Sequence, residues 1–411
     1  MIEVRASAKG LLGMPPARFL RDCWQKRPLL VRGAFARFVD PLTPDDLAGL
    51  ACEESALSRL VVHEARRDRW TLRTGPFEPV DFARLPKRDW TLLVQDVDKW
   101  DADVAALLAR FAFLPSWRID DIMVSYAVDG GSVGAHVDQY DVFLVQGLGR
   151  RRWSISTDPA APRDFRDDVE LKLLRTFAPT HEWTLDPGDM LYLPPGIAHH
   201  GVAIGESLTY SVGMRAPSFG ELMIDFAESF AEAMPEELRL SDADLAPARG
   251  DGEIDAAAMA RVVEAMPWLR VAREGKSGTR AGGSSSCSGE VDALMLRTWF
   301  ARFITRYRGA HGAAPRARPI ADAAFARAFA TGGAAIRNPW SRAAWLRSGR
   351  EAMLFVAGTG FACSIAFARL ACGRDPMPLD RIRSRNDRDA LRSLIDQGHV
   401  TLAAPSRRRR R

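Results

Sequence analysis

The sequence predicts an α+β protein in which a β-barrel or sandwich is followed by a helical region and a small winged-helix domain. Three observations predict this order. Short apolar runs separated by turn residues dominate residues 119–214, a pattern typical of barrels and sandwiches. After Pro217 the alternation gives way to helical periodicity. Residues 311–405 combine helices with a hairpin, and a chain of 411 residues has room for two or three domains.

The barrel part begins with mixed elements and then becomes almost entirely extended. Turn-forming starts predict helices at 16–23 and 44–52, and extended patterns predict strands at 70–73 and 90–95. The main strands are expected between turns rich in Gly, Pro and Asp, at 122–126, 142–146, 151–155, 190–193 and 208–212. The segment Gly147-Leu148-Gly149 is predicted to be a hairpin turn between two of these strands.

The sequence divides into four parts. We expect a barrel domain in residues 1–216, a helical linker or dimerisation region in 217–310, a winged-helix domain in 311–405 and a basic tail in 406–411. Helices are predicted at 219–233, 256–269, 292–307 and 387–396, with a hairpin around 358–360 and a last strand at 399–402. Residues 274–290 are too polar to bury apolar area, so we expect a flexible insertion there.

Charge is unevenly distributed along the chain. From Arg297 onward there are 23 Lys and Arg against 7 Asp and Glu, a balance of +16, and the preceding part has 34 against 45, a balance of −11. This asymmetry predicts a polyanionic partner for the C-terminal part, and the alternative is a generally arginine-rich composition. Five scattered cysteines, no signal-like N-terminus and no long apolar run predict a cytoplasmic protein without a membrane segment.

The strongest chemical signal is a His-x-Asp pair followed by a distant histidine. His136 and Asp138 enter a predicted strand, in which residues i and i+2 project from the same face. His199 and His200 follow the turn at 194–196, and only one of these adjacent residues can face the same ion. Two histidines and one carboxylate form the facial triad of non-haem Fe(II) oxygenases, which leaves coordination positions open for a keto acid and dioxygen.

A keto-acid cosubstrate needs a cation for its distal carboxylate. In the predicted strand at 151–155, Arg151 and Trp153 share one face, whereas Arg150 and Arg152 share the other. Arg151 is therefore our candidate for the cosubstrate carboxylate, since a guanidinium offers a bidentate fork, and the alternative is a set of solvated surface arginines. Thr209 and Ser211 alternate on a later strand and could donate hydroxyl hydrogen bonds to the same carboxylate.

Several segments resemble the JmjC-type bacterial ribosomal oxygenases over residues 17–218. The matching segments are FLRDCWQKRPLLV (19–31), GAHVDQYDVF (134–143), QGLGRRRW (146–153), PGDMLYLPPG (187–196) and YSVGMRAP (210–217). Beyond this region the resemblance is one of architecture, because the family also has a helical dimerisation region and a C-terminal winged helix. The insertion at 274–290 and the five arginines at 407–411 depart from the family pattern.

The resemblance implies a double-stranded β-helix of the JmjC and cupin-like type and an assignment for each site residue. It places Fe(II) on His136, Asp138 and His199, and the 2-oxoglutarate carboxylate on Arg151. The implied reaction uses 2-oxoglutarate and dioxygen to hydroxylate the β-carbon of an arginine in a large-subunit ribosomal protein. It also implies a homodimer. We hypothesise that the basic C-terminal part then contacts ribosomal RNA or an assembling ribosomal particle.

Other interpretations remain open at this level. A cupin-like scaffold could bind metal without 2-oxoglutarate while the winged helix binds nucleic acid, or a JmjC enzyme could remove methyl groups and release formaldehyde. A substrate arginine would need acidic or aromatic partners near the mouth of the barrel. Tyr126, Asp129 and Gln139 are available there, and the sequence does not rank them.

Overall fold

The computed structural model describes residues 2–6, 10–237, 239–243, 256–265, 293–306 and 313–403. The chain divides into two compact units, one formed by Met1–Ala216 with Ile304–Arg411 and the other by Pro217–Phe303. The predicted insertion at 274–290 and the basic tail at 406–411 lie outside the described residues. In the part of the chain that is described, no helix has the length and hydropathy needed to cross a bilayer.

The first unit begins with the barrel and the helices that close its end. The strands are β1 (Glu3–Arg5), β2 (Leu29–Arg32), β3 (Ser58–Glu64), β4 (Arg69–Thr74), β5 (Trp90–Val94), β6 (Ile119–Ala127), β7 (His136–Val137), β8 (Val142–Ser156), β9 (His181–Leu185), β10 (Met190–Leu193) and β11 (Ala198–Met214). The helices are α1 (Pro16–Asp22), α2 (Pro44–Ala51), α3 (Pro79–Ala83), α4 (Val97–Trp100) and α5 (Ala102–Leu107). The predicted helices at 16–23 and 44–52 are thus confirmed to within one residue at their ends.

Within the described residues these eleven strands form one hydrogen-bonded sheet. Its order is β1-β2-β10-β8-β11-β6-β5-β3-β4, with β7 paired to β11 and β9 paired to β8. One cavity is lined by residues from β3 to β8 and from β11, so the sheet curves around it. The α+β class with a barrel-like sheet, predicted from the short alternating runs, is confirmed.

The strand β8 corrects one prediction. Gly147-Leu148-Gly149 is not a hairpin turn, because β8 continues through it and pairs with β11 on both sides. The register shifts where Gly149 lies opposite Ser207, which marks a bulge. Gly149 has φ +65°, and a Cβ there would overlap the carbonyl oxygen of Glu206. Gly149 therefore allows a bulge within one long strand, and the chain does not reverse its direction there.

Both faces of β8 are buried, so the sheet carries two apolar cores. Phe143 and Val145 belong to the first core, together with Phe19 of α1 and Tyr192 of β10. Leu144, on the opposite face, belongs to the second core, as do residues of β9 and β10. In the first core the ring centroids of Phe19 and Tyr192 lie 5.0 Å apart in an edge-on arrangement. The N-terminal helix therefore closes the sheet by burying aromatic side chains.

The winged helix follows in the same unit. Its helices are α9 (Asp322–Ala330), α10 (Ile365–Cys372) and α11 (Arg385–Asp396), and its strands are β12 (Ala334–Arg337), β13 (Ala343–Ser348), β14 (Glu351–Val356), β15 (Thr359–Ser364), β16 (Met377–Pro378) and β17 (Val400–Ala403). The predicted hairpin around 358–360 is the β14–β15 turn. Ser364 and Ser384 cap α10 and α11 by accepting backbone N–H bonds, which fixes where these helices begin.

The second unit is helical in its described part. It contains α6 (Phe219–Glu232), α7 (Ala256–Ala265) and most of α8 (Ala293–Thr305). Ser218 caps α6 in a capping box with Glu221. Phe226 packs edge-on against Trp299 with ring centroids 5.0 Å apart, and the Trp299 indole donates to Asp225 at 2.8 Å.

Candidate metal centre and active site

The structure brings His136, Asp138 and His199 together at one point of the barrel. One ligand atom from each lies within 4.8 Å of the others. The Asp138 Oδ2 atom is 4.0 Å from His136 Nε2 and 3.6 Å from His199 Nε2. Two histidines and one carboxylate at this spacing can hold one divalent ion on one side and leave its other side open.

Backbone pairing explains why distant residues meet here. The strand β7 pairs with the start of β11, so that His136 lies directly opposite His199. Gly196 has φ +82° in the turn before β11, and its N–H donates to the Asp138 carbonyl at 2.8 Å. The turn at 194–196 thereby fixes Asp138 as well as His199. A side chain at residue 196 would be strained at this φ.

Each triad histidine is oriented through its other ring nitrogen. Nδ1 of His136 lies 2.9 Å from the Gly134 carbonyl, and Nδ1 of His199 lies 2.9 Å from the Ile197 carbonyl. A carbonyl only accepts, so Nδ1–H donates and Nε2 keeps its lone pair toward the centre. Burial, together with the neighbouring His136, lowers the pKa of His199 to about 4, which favours the neutral imidazole that binds metals.

His200 faces away from this centre. Its Nε2 lies 2.9 Å from the Ser132 hydroxyl, and its ring meets Phe177 edge-on at 6.2 Å. Burial lowers the pKa of His200 to about 4. Of the two adjacent histidines, the structure thus brings His199 to the triad and gives His200 a hydrogen-bonded place on the other side of the strand.

A cavity of about 480 Å³ opens beside the triad. Polar atoms that are buried without a hydrogen-bond partner among the described residues occur on three of its lining side chains, Thr91, Arg151 and Trp153. Buried polar groups in proteins are nearly always hydrogen-bonded, so each exception needs an explanation. A polar ligand in the cavity would supply the missing partners.

Arg151 is the most informative of these residues. It is 5% exposed, and no carboxylate in the described chain forms an ion pair with it. Its Nη1 donates to the hydroxyls of Ser125 at 3.1 Å and Thr209 at 3.3 Å, whereas its Nε has no partner. Burial lowers the pKa of Arg151 to about 10, so the cation persists at neutral pH. A buried guanidinium without a counterion favours the binding of an anion, because the anion would compensate the buried charge.

The structure gives Thr209 and Ser211 different places. Thr209 does not border the cavity. Its hydroxyl accepts a hydrogen bond from Arg151 and lies 3.4 Å from the Gln146 amide oxygen. Ser211 is 7% exposed and lines the cavity. Thr209 thus orients the cation, while Ser211 can reach a bound molecule directly.

An acidic wall, formed by Asp120 and Asp121 on β6, borders the same cavity. Burial, together with the nearby carboxylate of Asp96, raises the pKa of Asp121 to about 7. Tyr140 also lines the cavity, and burial together with the charge of Asp138 raises the pKa of its phenol. The sequence interpretation did not include these three side chains, although Asp121, Met123 and Ser125 alternate on one face of β6 and all border the cavity.

The three side chains that the sequence offered as substrate partners lie elsewhere. Tyr126 donates its hydroxyl to Glu206 at 2.7 Å. Asp129 forms an ion pair with Arg88 at 2.9 Å. Gln139 is exposed and does not border the cavity. The strand direction explains the first case, because Tyr126 points to the face of β6 opposite to that of Ser125.

Two family models match separate parts of the chain. The JmjC domain model matches residues 106–222, which include the triad and Arg151. A model described as the ROXA-like winged helix matches residues 292–401. The predicted order of barrel, helical region and winged helix is therefore confirmed.

Curated relatives and solved structures agree with the family models. The chain is 45% identical over 210 residues to the ribosomal protein uL16 3-hydroxylase of Escherichia coli, and 41% identical over 231 residues to a probable ribosomal oxygenase of Haemophilus influenzae. These alignments cover 51% and 56% of this chain. They span about half the length of the relatives, 55% and 56%.

The structural match is more extensive. The X-ray structure of E. coli YcfD superimposes with a TM-score of 0.78 at 31% identity, covering 95% of this chain and 99% of that one. A second structure, of YcfD in complex with cobalt and 2-oxoglutarate, has a TM-score of 0.76 at the same identity. The chain therefore belongs to the JmjC-type ribosomal oxygenases, a family of 2-oxoglutarate-dependent dioxygenases in which a JmjC barrel precedes a winged helix.

Proposed function

We propose that this protein is an Fe(II)- and 2-oxoglutarate-dependent hydroxylase that modifies an arginine side chain of a large-subunit ribosomal protein. The observation that carries the proposal is the combination, in one cavity, of a two-histidine, one-carboxylate triad with a buried arginine that has no counterion. A metal-binding scaffold of cupin type has no need for such a cation. A dicarboxylate keto acid that chelates the metal needs one at its far end.

The proposed roles follow from the residues themselves. His136, Asp138 and His199 would hold Fe(II), and the backbone carbonyls behind the two histidines keep both rings in position. When bound, Fe(II) and 2-oxoglutarate supply the oxidising chemistry, in which dioxygen is divided between succinate and the hydroxylated carbon and carbon dioxide is released. Arg151 would bind the distal carboxylate of the keto acid.

The acidic wall favours a cationic substrate side chain. Asp121 is buried in a position that disfavours its carboxylate form, and a guanidinium beside it would restore that form. An arginine entering from the mouth could therefore place its guanidinium against Asp121, because Asp120 is already paired with Arg342, and its methylene carbons toward the triad. One relative is named a ribosomal protein uL16 3-hydroxylase and another a probable ribosomal oxygenase, which supports a ribosomal protein as the substrate and the cytoplasm as the compartment.

A second copy of this chain and ribosomal RNA are the proposed partners. The helix α6 exposes Phe219, Met223 and Ile224, which are 89%, 72% and 62% accessible, and exposed apolar side chains of this size favour association. The +16 balance from Arg297 onward favours contact with a polyanion. Analytical ultracentrifugation tests the dimer by comparing the oligomeric state of Met223→Asp with that of Glu228→Asp, a control on the same helix. Met223→Asp should be monomeric, whereas Glu228→Asp should remain a dimer. A monomeric wild type would contradict it.

The test of the proposed activity uses recombinant ribosomal protein uL16. Anaerobically iron-loaded protein is mixed with 2-oxoglutarate and uL16 and then exposed to air, and succinate and the mass of uL16 are measured. We expect succinate formation that depends on uL16 and a uL16 mass gain of one oxygen atom on an arginine. His136→Ala should abolish both, and His181→Ala, a histidine on β9 outside the cavity, should retain both. Formaldehyde release without oxygen retention would indicate a demethylase.

A further inference from the structure

A second cavity lies where the winged helix packs against the barrel. It has a volume of about 70 Å³ and is lined by residues of both parts. Arg342, next to β13, forms an ion pair with Asp120 of β6, and Trp340 meets Trp100 edge-on with ring centroids 5.9 Å apart. These contacts cross the junction, so the cavity is a feature of the packed unit and not of either part alone.

The charges that line this cavity do not balance. Its four cations are Lys99, Arg337, Arg342 and Arg374, and its two carboxylates are Asp98 and Asp120, a surplus of two positive charges. Both carboxylates are already engaged. Asp98 pairs with Lys99 at 2.6 Å and accepts the Ile122 N–H at 2.8 Å, and Asp120 pairs with Arg342. The surplus therefore resides on Arg337 and Arg374.

Arg337 and Arg374 face the same cavity without a carboxylate partner. Arg337, the last residue of β12, donates from Nη1 to the Ala371 carbonyl at 3.0 Å, and no described carboxylate lies within ion-pair distance of either guanidinium. Burial lowers the pKa of both arginines, and Arg337 lowers that of Arg374 further. Two like charges held together in this way favour a bound anion, as the lone cation of Arg151 does in the barrel.

We propose that this junction cavity binds a phosphate group between Arg337 and Arg374. Guanidinium pairs hold phosphate oxygens in bidentate geometry, and a charge surplus of two matches an oxyanion. A volume of about 70 Å³ leaves room for a small oxyanion group beside the two guanidinium groups. The group comes either from a nucleic-acid backbone that passes over the junction or from free phosphate.

The proposal is independent of the hydroxylase activity and has its own test. Thermal unfolding of the full chain is measured in potassium phosphate and in potassium chloride at equal ionic strength. We compare the wild type, Arg337→Gln/Arg374→Gln, and the matched control Arg347→Gln/Arg350→Gln, which removes two exposed arginines at the β13–β14 turn. The readout is the difference between the two salts within each variant, so a change in basal stability does not obscure it.

Phosphate should stabilise the wild type and the control more than chloride does, and the Arg337→Gln/Arg374→Gln variant should lose this difference. By ³¹P titration its phosphate affinity should fall roughly tenfold or more for each arginine removed. A single-stranded RNA oligonucleotide that competes with phosphate identifies the source as a nucleic-acid backbone, and binding of phosphate alone identifies free phosphate. If the wild type shows no preference for phosphate over chloride, or the double variant retains it, the proposal is wrong. If the double variant does not fold, the single variant Arg374→Gln gives the same comparison.

Discussion

Two buried polar clusters in the barrel domain have opposite characters. At one end of the sheet Asp141 is fully buried and accepts hydrogen bonds from Tyr192 at 2.6 Å and Gln25 at 2.9 Å, with Arg118 at 3.2 Å. In the cavity Arg151 is almost as buried, yet its guanidinium hydrogen-bonds only to two hydroxyls and retains an unpartnered Nε. The first cluster is complete without a ligand. The second is not, and this incompleteness marks the functional site.

The largest effect on stability is expected when the charge of the complete cluster, the Asp141 carboxylate, is removed. Asp141→Ala should lower the free energy of unfolding by about 3–5 kcal/mol, because it leaves Arg118 and Tyr192 without their buried partner. Denaturant unfolding measures the effect, and Asp164→Ala provides an exposed aspartate as control. A loss below about 1 kcal/mol would mean that the Asp141 cluster does not stabilise the fold as a buried ion pair should.

The corresponding change at the incomplete cluster should spare stability and remove ligand binding. Arg151→Met should weaken 2-oxoglutarate binding by about 2–5 kcal/mol, because a desolvated carboxylate loses its cation. The free energy of unfolding should stay the same or rise, since an unpaired buried charge is replaced by an apolar chain. Calorimetric titration with 2-oxoglutarate measures the first effect. Arg152→Met, the exposed neighbour, should bind normally, and equal losses in both variants would refute the assignment.

Asp121, which borders the cavity, should make the stability of the protein depend on pH. Its raised pKa means that the folded state keeps a proton that the unfolded state releases above about pH 4, so Asp121 lowers stability as pH rises from there to about 7. One pKa unit corresponds to about 1.4 kcal/mol, so the effect amounts to a few kcal/mol at most. Asp121→Asn should therefore be more stable than wild type at pH 8 and similar at pH 4. Parallel pH profiles for the two proteins would show that Asp121 titrates normally.

The smallest effect concerns the support of the cation. Thr209→Val removes one hydroxyl that accepts from Arg151 at a long distance of 3.3 Å, so 2-oxoglutarate affinity should fall by about 1 kcal/mol, several-fold. Thr71→Val on the exposed face of β4 is the control. An effect as large as that of Arg151→Met would mean that Thr209 contacts the ligand itself.

The predictability of the site depends on how local each signal is. Sequence alone identified the candidate ligands because each signal lies within a few consecutive residues. These signals are the spacing of His136 and Asp138 and the Pro-Pro-Gly turn before His199. Arg151 followed from strand alternation, which held although the preceding Gly147-Leu148-Gly149 proved to be a bulge and not a turn. A bulge and a hairpin use the same residue types, so the difference lies in the pairing with β11 and not in the local sequence.

The acidic wall was missed for a related reason. The predicted strand began at Ile122, whereas β6 begins at Ile119 and brings Asp121 onto the cavity face with Met123 and Ser125. Extending the strand by one residue would have revealed this alternation. Gly213 lies directly opposite Asp121 on β11, a pairing across about ninety positions of sequence that only the folded sheet establishes.

The central claim is that the triad and Arg151 together hold a metal and a keto acid. A crystal structure of the protein grown anaerobically with Fe(II) and 2-oxoglutarate tests it most directly. We predict anomalous density for iron between His136, Asp138 and His199, and the distal carboxylate of 2-oxoglutarate against Arg151. Iron at His200, or a keto acid whose distal carboxylate lies away from Arg151, would contradict the account.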